Sequence, residues 1–547
     1  MPVVTFDYGD FKTLLGHDIP KKKLLERLPM IGADIDNVKG DTISIEFFPN
    51  RPDLTSVEGI VRASRAFFGF QPGMTQYSTS SSSIETVIDP SVQTVRPYIA
   101  TALVRNVTMS DALIKSLMEL QEKLHGGIGR GRKKLAIGVH NFEAVIPPFT
   151  YKAVDPAASS FIPLGHTDQM TLKEILSHHE KGKDYAHLLE DDKKYPLLVD
   201  SHENVLSFPP IINGVLTEVS PYTTELFIDV TGLDEQAIHY ALNILTTALV
   251  ERGGILHTTK VIQGKKHQVY PNLSPTKQSL SVAAVNKLLG TQCTAQEIIK
   301  CLQTMGYDAS EKTKDTLQVL IPPWRADILH EVDLIEDVAI GYGYDKFTTD
   351  MPKDLTIGTP LPHHKLTGVL RTSLIGLGFQ EVNTFVISNP REEFDHLGIE
   401  KQSCVELLNP IGEEYSILRL NLLPSLLKIL RENRHHPLPQ QFFELGTVIE
   451  NYTNTLHVAA VKIDAKTHFT ECKSLVEAVL RNLGIPLTIE TSNHPAFITG
   501  RQATILHKKT PIGVFGEIHP QTITAFSLEH PMIGFELNLQ PLLDTMS

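Results

Sequence analysis

Only four cysteines and one tryptophan occur in 547 residues. Cys293, Cys301, Cys404 and Cys472 are too far apart for a CxxC or zinc-knuckle spacing and too sparse for a disulfide framework, which fits a reducing cytoplasm. No stretch approaches the roughly 18 uninterrupted apolar residues that a membrane-spanning helix requires, so no membrane association is expected. Residues 1–9 (MPVVTFDYG) lack a basic start and an apolar stretch, so no signal peptide is expected. Positive charge is in deficit, with 50 Lys plus Arg against 63 Asp plus Glu and a net of −13. That balance excludes a coat protein that neutralises phosphate over its whole surface and leaves only local basic patches. GxSxG and HExxH are absent, and no cysteine carries a local nucleophile signature, so any hydrolysis must rest on water and polar positioning.

What is present describes a globular chain: 41% hydrophobic and 21% charged residues. At about 150 residues per domain the length predicts three or four domains. Residues 1–77 read as a small mixed α/β unit, with helical spacing over 21–29, a strand over 42–48, and a helix over 57–68 that Asp53 or Ser56 can cap. The run STSSSS at 78–83 reads as a polar linker. Residues 84–262 alternate strands (100–107, 225–230) with helices (112–124, 236–251), an α+β domain. Residues 270–347 contain a helix-turn-helix-like stretch, with Gly290 and Gly306 as stops, Thr294 as a cap, and a following strand at 317–321. After a Pro-bearing segment at 351–362, residues 355–547 form the largest unit, with helices near 364–377 and 423–434. No internal repeat is evident.

The sharpest cluster lies in PPWRADILHEVDLIEDVAIGYGYD (322–345), where Asp333, Glu336 and Asp337 stand at i, i+3 and i+4 of a helical pattern with Asp327 upstream. Converging carboxylates suit a hard cation such as Mg²⁺; the alternative is a solvated acidic face with Asp327 as an N-terminal cap. GGIGRGRKK (126–134) reads as a flexible loop lacking the GK[ST] of a P-loop, although Arg130, Arg132, Lys133 and Lys134 can touch an RNA backbone. The pairs His178–His179 and His435–His436 do not share a helical face and read as surface residues.

Three segments together, NRPDLTSVEG (50–59), FPPIING (208–214) and WRADILHEVDLIEDVAIGYGYD (324–345), resemble the β subunit of phenylalanyl-tRNA synthetase, in its archaeal and eukaryotic form. The resemblance extends over almost the whole chain. It implies that Asp327, Asp333, Glu336 and Asp337 ligate Mg²⁺ in a B5-like domain, and that residues 84–262 form an editing domain that hydrolyses tyrosine misattached to tRNA(Phe). The matching pocket segments are FPPIING and FIDVTG (227–232), with Asn213, Asp229 and Thr231 as editing candidates. A pocket that selects tyrosine must pair a phenol hydroxyl, a role that suits Asp229; the alternative for Asp229 and Thr231 is a strand-end turn.

The resemblance also implies that residues 355–547 are a class II synthetase catalytic-like antiparallel sheet domain. Residues 366–390 are similar to the subunit-contact motif, but MIGFELNL (532–539) has no arginine for ATP, so adenylation falls to an α subunit. The implied assembly is a cytoplasmic heterotetramer of two α and two β chains that charges tRNA(Phe) with phenylalanine at the expense of ATP, with no DNA partner. Rival readings are a freestanding editing hydrolase and a duplex-binding module. The second is disfavoured because 294–305 carries a single cation, Lys300.

Overall fold

The computed structural model describes residues 2–349, 351 and 356–544 and divides into two units, Met1–Asp350 and Met351–Ser547. In the first unit, β1 (Val3–Asp7), β2 (Ala33–Lys39) and β3 (Thr42–Phe47) form a sheet of order β1-β3-β2. The alternation of Thr42–Phe47 buries Ile43, Ile45 and Phe47 against the helix Val57–Phe67. Ser56 caps that helix by accepting from the Gly59 amide at 3.2 Å, while Asp53 instead takes a bidentate pair from Arg51.

The second sheet of this unit has ten strands. They are β4 (Ser80–Ile88), β5 (Tyr98–Arg105), β6 (Leu135–Asn141), β7 (Phe149–Val154), β10 (Tyr195–Val199), β11 (Val205–Phe208), β12 (Ile212–Asn213), β13 (Leu226–Gly232), β14 (Ile255–Gln263) and β15 (Lys266–Tyr270); a separate ribbon pairs β8 (Ser160–Phe161) with β9 (Met170–Thr171). The order is β12-β11-β10-β7-β4-β14-β5-β13-β6, with β15 added beside β14. The serine run is therefore not a linker. Ser80 and Ser81 pair in parallel with His257 and Thr258, and the Ser82 hydroxyl donates to the Thr258 carbonyl at 2.6 Å. Small polar side chains join a ladder readily when its backbone bonds are available, which composition alone does not reveal.

Strand β13 is buried along its whole length between β5 and β6, packed by the helix Glu235–Glu251. A third sheet, order β16-β18-β17, comprises β16 (Thr276–Ser281), β17 (Asp308–Thr313) and β18 (Thr316–Ile321) with the helices Val282–Leu289, Ala295–Thr304 and Glu331–Tyr342. The stops and cap occur as read: Gly290 ends one helix in the left-handed conformation, and Thr294 with Glu297 opens the next as a capping box.

In the second unit, β19 (Gln380–Glu381), β22 (Gln440–Glu450), β23 (Thr453–Ile463), β24 (Thr488–Thr491), β25 (Phe497–His507), β26 (Thr510–Ile518) and β27 (Met532–Asn538) form a sheet of order β19-β22-β23-β27-β26-β25-β24. It is antiparallel apart from the β19–β22 pair, and β20 (Ile387–Ser388) with β21 (Ile417–Leu418) makes a small ribbon beside it. One face packs the helices Pro362–Gly376 and Phe469–Asn482, and the other packs Leu423–Glu432. The expected domain start at 355 lies outside the described residues. Among the described residues no helix is long and apolar enough to cross a membrane.

Candidate active site at the closing seam of the large sheet

The terminal strands of the ten-stranded sheet, β6 and β12, face each other across a cavity of about 430 Å³. An edge strand leaves backbone groups unpaired, and β6 has these satisfied by side chains. Gln121 donates to the Ile137 carbonyl at 2.8 Å, His125 Nε2 accepts from the Ile137 amide at 2.8 Å, and Asn213 on β12 donates to the Val139 carbonyl at 3.3 Å. Asn213 thereby bridges the seam. Burial pushes the His125 pKa down, so its imidazole is neutral and its Nδ1 proton points to Glu122 at 3.3 Å. That hydrogen bond, with Arg132 alongside, holds the Glu122 carboxyl at about 2.

Asp229 and Thr231 are two residues apart on β13, so both project into this cavity from one face. The residue directly opposite Asp229 on β6 is Gly138. A Cβ there would lie 2.1 Å from Asp229 Oδ2, so only glycine leaves room for the carboxylate to reach diagonally to His140. Asp229 Oδ2 and His140 Nε2 are 2.7 Å apart, and His140 Nδ1 is 2.8 Å from the Thr217 hydroxyl. Asp229 is 1% and His140 0% exposed, which makes this a buried pair that water does not screen. Beneath it, Arg96 Nε donates to the Thr231 hydroxyl at 3.0 Å and Nη2 to the Thr231 carbonyl at 2.9 Å; burial lowers the Arg96 pKa to about 10.

The cavity therefore gathers Asn213, Asp229 and Thr231, three residues from two distant segments, and the strand-end-turn alternative fails because β13 is buried throughout. Sequence reasoning missed His140, Gly138, Thr217 and Arg96. The available signal was a glycine and a histidine in an otherwise apolar strand, LAIGVHN.

The basic loop differs from its expectation. Residues 126–134 form a turn closed by backbone bonds from Gly129 to Leu124 (2.9 Å), Gly131 to His125 (2.9 Å) and Lys134 to Gly129 (2.8 Å). Arg132 points inward, donating to the Ile211 carbonyl at 2.8 Å and to Glu122 at 2.9 Å, with its guanidinium over the Tyr185 ring. Lys134 pairs with Asp234, which leaves Arg130 and Lys133 exposed. His179, expected on the surface, is buried and accepts from the Lys181 amide at 3.0 Å as a helix cap.

The four carboxylates assigned to Mg²⁺ do not converge. Arg325 takes Asp327 in a bidentate pair (2.8 and 2.7 Å) and reaches Asp337 at 2.6 Å, and the Tyr307 hydroxyl donates to the same Asp337 oxygen. Asp333 turns back to accept from the amides of Leu329 (2.7 Å) and His330 (2.6 Å), and Glu336 is exposed. Asp327 is thus neither a helix cap nor free to bind a cation. Among the described residues no group of three or more His, Cys, Asp or Glu side chains is placed to hold a metal. The residues as arranged do not fit Mg²⁺. Burial alone would lower the Arg325 pKa, but Asp337, Tyr307 and Asp327 hold it well above its ordinary value.

Two family models match the chain: "tRNA synthetase B5 domain" over residues 278–344 and "Phenylalanyl tRNA synthetase beta chain CLM domain" over 348–539. These define a multidomain subunit of an aminoacyl-tRNA synthetase. Proteins named phenylalanine–tRNA ligase β subunit are similar over their full length: 44% identical in Methanothrix thermoacetophila (98% of this chain, 100% of the relative) and 43% in Archaeoglobus fulgidus (100% and 99%). A crystal structure of an N-terminal fragment of the phenylalanyl-tRNA synthetase β subunit from Pyrococcus horikoshii superposes with a TM-score of 0.60 at 34% identity, covering 63% of this chain and 100% of the fragment. The chain belongs to the phenylalanine–tRNA ligase β-subunit family.

Proposed function

We propose that this chain serves as the β subunit of a cytoplasmic phenylalanine–tRNA ligase, in a heterotetramer of two α and two β chains. In this reading its seam cavity hydrolyses Tyr-tRNA(Phe). The observation that carries the editing role is the meeting of Asn213, Asp229 and Thr231 around one cavity, with Asp229 held from behind by the buried His140.

His140 occupies Oδ2 of Asp229, so Oδ1 is the acceptor left for a tyrosine phenol. Phenylalanine would leave that buried acceptor unpaired at a cost of about 1–3 kcal/mol, on the order of a tenfold to hundredfold preference for tyrosine. The Thr231 hydroxyl accepts from Arg96 and keeps its own proton to donate, and Asn213 stands where the ester or its attacking water is oriented. His140 acts through Asp229 as a positioning residue.

Adenylation is assigned to the α subunit, because β27 offers Glu536 and no cation where a triphosphate needs one. Mg²⁺, general to ATP-dependent ligases of this kind, is routed through no residue of this chain. Full-length likeness to β subunits supports a partnered chain over a freestanding hydrolase, and the helix Ala295–Thr304, with Ile298, Ile299 and Leu302 buried, favours a packing role over groove reading.

The test is deacylation of preformed Tyr-tRNA(Phe) and Phe-tRNA(Phe) by the chain with and without its α partner, alongside aminoacylation. Selective cleavage of the tyrosyl ester, lost in Asp229→Ala, and charging by the complex alone are expected. Unaltered selectivity in that variant, or charging by this chain alone, would overturn the reading.

A further inference from the structure

The second unit holds another cavity, of about 330 Å³, against its seven-stranded sheet. Its polar wall comes from three strands: Glu450 at the end of β22, His457 on β23, and Glu536 with Asn538 on β27. Its apolar wall includes Leu397, Leu423, Phe497 and Val514.

Glu536 is fully engaged. Its carboxylate accepts from the amides of Leu422 and Leu423, both at 2.9 Å, where the helix Leu423–Glu432 begins, and from His457 Nδ1 at 2.8 Å. His457, 5% exposed, therefore spends one ring nitrogen on Glu536, and its other, Nε2, makes no hydrogen bond. The nearest carboxylate oxygen to that nitrogen is Glu450 Oε1 at 3.5 Å. Burial opposes protonation of His457, but the two glutamates prevail and raise its pKa to about 9, so Nε2 carries a proton at neutral pH. Glu450 receives Asn538 Nδ2 on its other oxygen at 3.1 Å, and its side chain is 41% exposed. A buried imidazolium N–H that completes no hydrogen bond, and the carboxylate oxygen 3.5 Å from it, thus stand side by side on the cavity wall.

Charge narrows the ligand. Glu450 and Glu536 contribute two negative charges and His457 one positive; His494, also on the wall, is held neutral by burial. No Lys or Arg among the described residues lines the cavity, so phosphates are disfavoured. A cationic group satisfies the net negative charge, an adjacent acceptor satisfies Nε2, and an apolar body satisfies the rest.

We propose that this cavity binds a small α-ammonium carbonyl compound with an aliphatic side chain. The ammonium donates to Glu450 Oε1, the carbonyl oxygen accepts from His457 Nε2, and the side chain packs on Leu423, Phe497 and Val514. The site lies in a different unit from the seam cavity and does not depend on the editing assignment.

Calorimetric titration of the full-length chain with L-leucinamide tests this, with 4-methylpentanamide, the same skeleton without the amine, and inorganic pyrophosphate as comparators. L-leucinamide is expected to bind, 4-methylpentanamide to bind at least about tenfold more weakly, and pyrophosphate to give no heat. Glu450→Gln, at a carboxylate whose side chain is 41% exposed, weakens L-leucinamide about tenfold, and Val514→Trp, which fills the cavity, abolishes its binding. Absence of L-leucinamide binding, equal affinity for the amine-free amide, or binding untouched by both variants overturns the proposal.

Discussion

Gly138→Ala is the most discriminating perturbation of the seam cavity, because it adds one methyl group at the Asp229–His140 bond and alters no charged group. The added methyl would lie 2.1 Å from Asp229 Oδ2 and 2.6 Å from His140 Nε2, on top of the 2.7 Å bond that joins them. Ordinary contact begins near 3.4 Å, so Oδ2 must retreat by about 1.3 Å, and the bond cannot survive that displacement. A hydrogen bond to a carboxylate contributes about 1.5–3 kcal/mol, and overpacking a rigid strand costs about 1–3 kcal/mol more. Urea denaturation of the full chain should therefore report a loss of about 2.5–6 kcal/mol. Deacylation of Tyr-tRNA(Phe) should fall by tenfold to hundredfold in proportion to the lost bond, while phenylalanine charging by the complex is retained. The reasoning is refuted if the variant is within about 0.5 kcal/mol of the parent and edits normally, because then the pair neither stabilises the seam nor aims Asp229.

Three further outcomes are expected. Arg325→Met leaves Asp327 and Asp337 buried without their cation and should cost about 3–5 kcal/mol in a denaturant titration, whereas EDTA should not move the midpoint of the parent; a clear EDTA shift would restore the metal reading. The His457 pKa is raised in the fold from its usual value near 6.5 to about 9, so its stabilisation is fully present below pH about 6.5 and is lost as pH rises through about 9. The full chain should lose on the order of 3 kcal/mol over that window and His457→Gln should flatten the slope; an unchanged slope would exclude His457 as its source. Reversal of Arg130 and Lys133 to Glu should weaken tRNA binding and reduce its salt dependence by about two phosphate contacts, measured by filter binding at several salt concentrations; unchanged affinity would remove the turn from the RNA surface.

Local chemistry carried much of this molecule in its sequence. The capping box at Thr294, the stop at Gly290, the alternation over Thr42–Phe47 and the helix opened by Ser56 depend on neighbours within four or five residues, so their signals are complete in any short window. FPPIING and FIDVTG were legible as motifs, and the family they resemble holds over the full length of the chain. Partners distant in sequence were not legible. STSSSS became a strand because His257 and Thr258 lie beside it, and Asp229 became one half of a buried pair because Gly138 faces it across the ladder. Arg132 turned inward because the carbonyls of Pro210 and Ile211 and the Tyr185 ring await it. The carboxylates Asp327, Asp333, Glu336 and Asp337 read as one cluster, since a helical pattern places them together. In the fold, Arg325 and the amides ahead of the helix divide them, because a buried charge takes whichever counter-charge the packing brings within reach. Sequence thus determined the elements and the family, and tertiary structure decided which polar groups face one another.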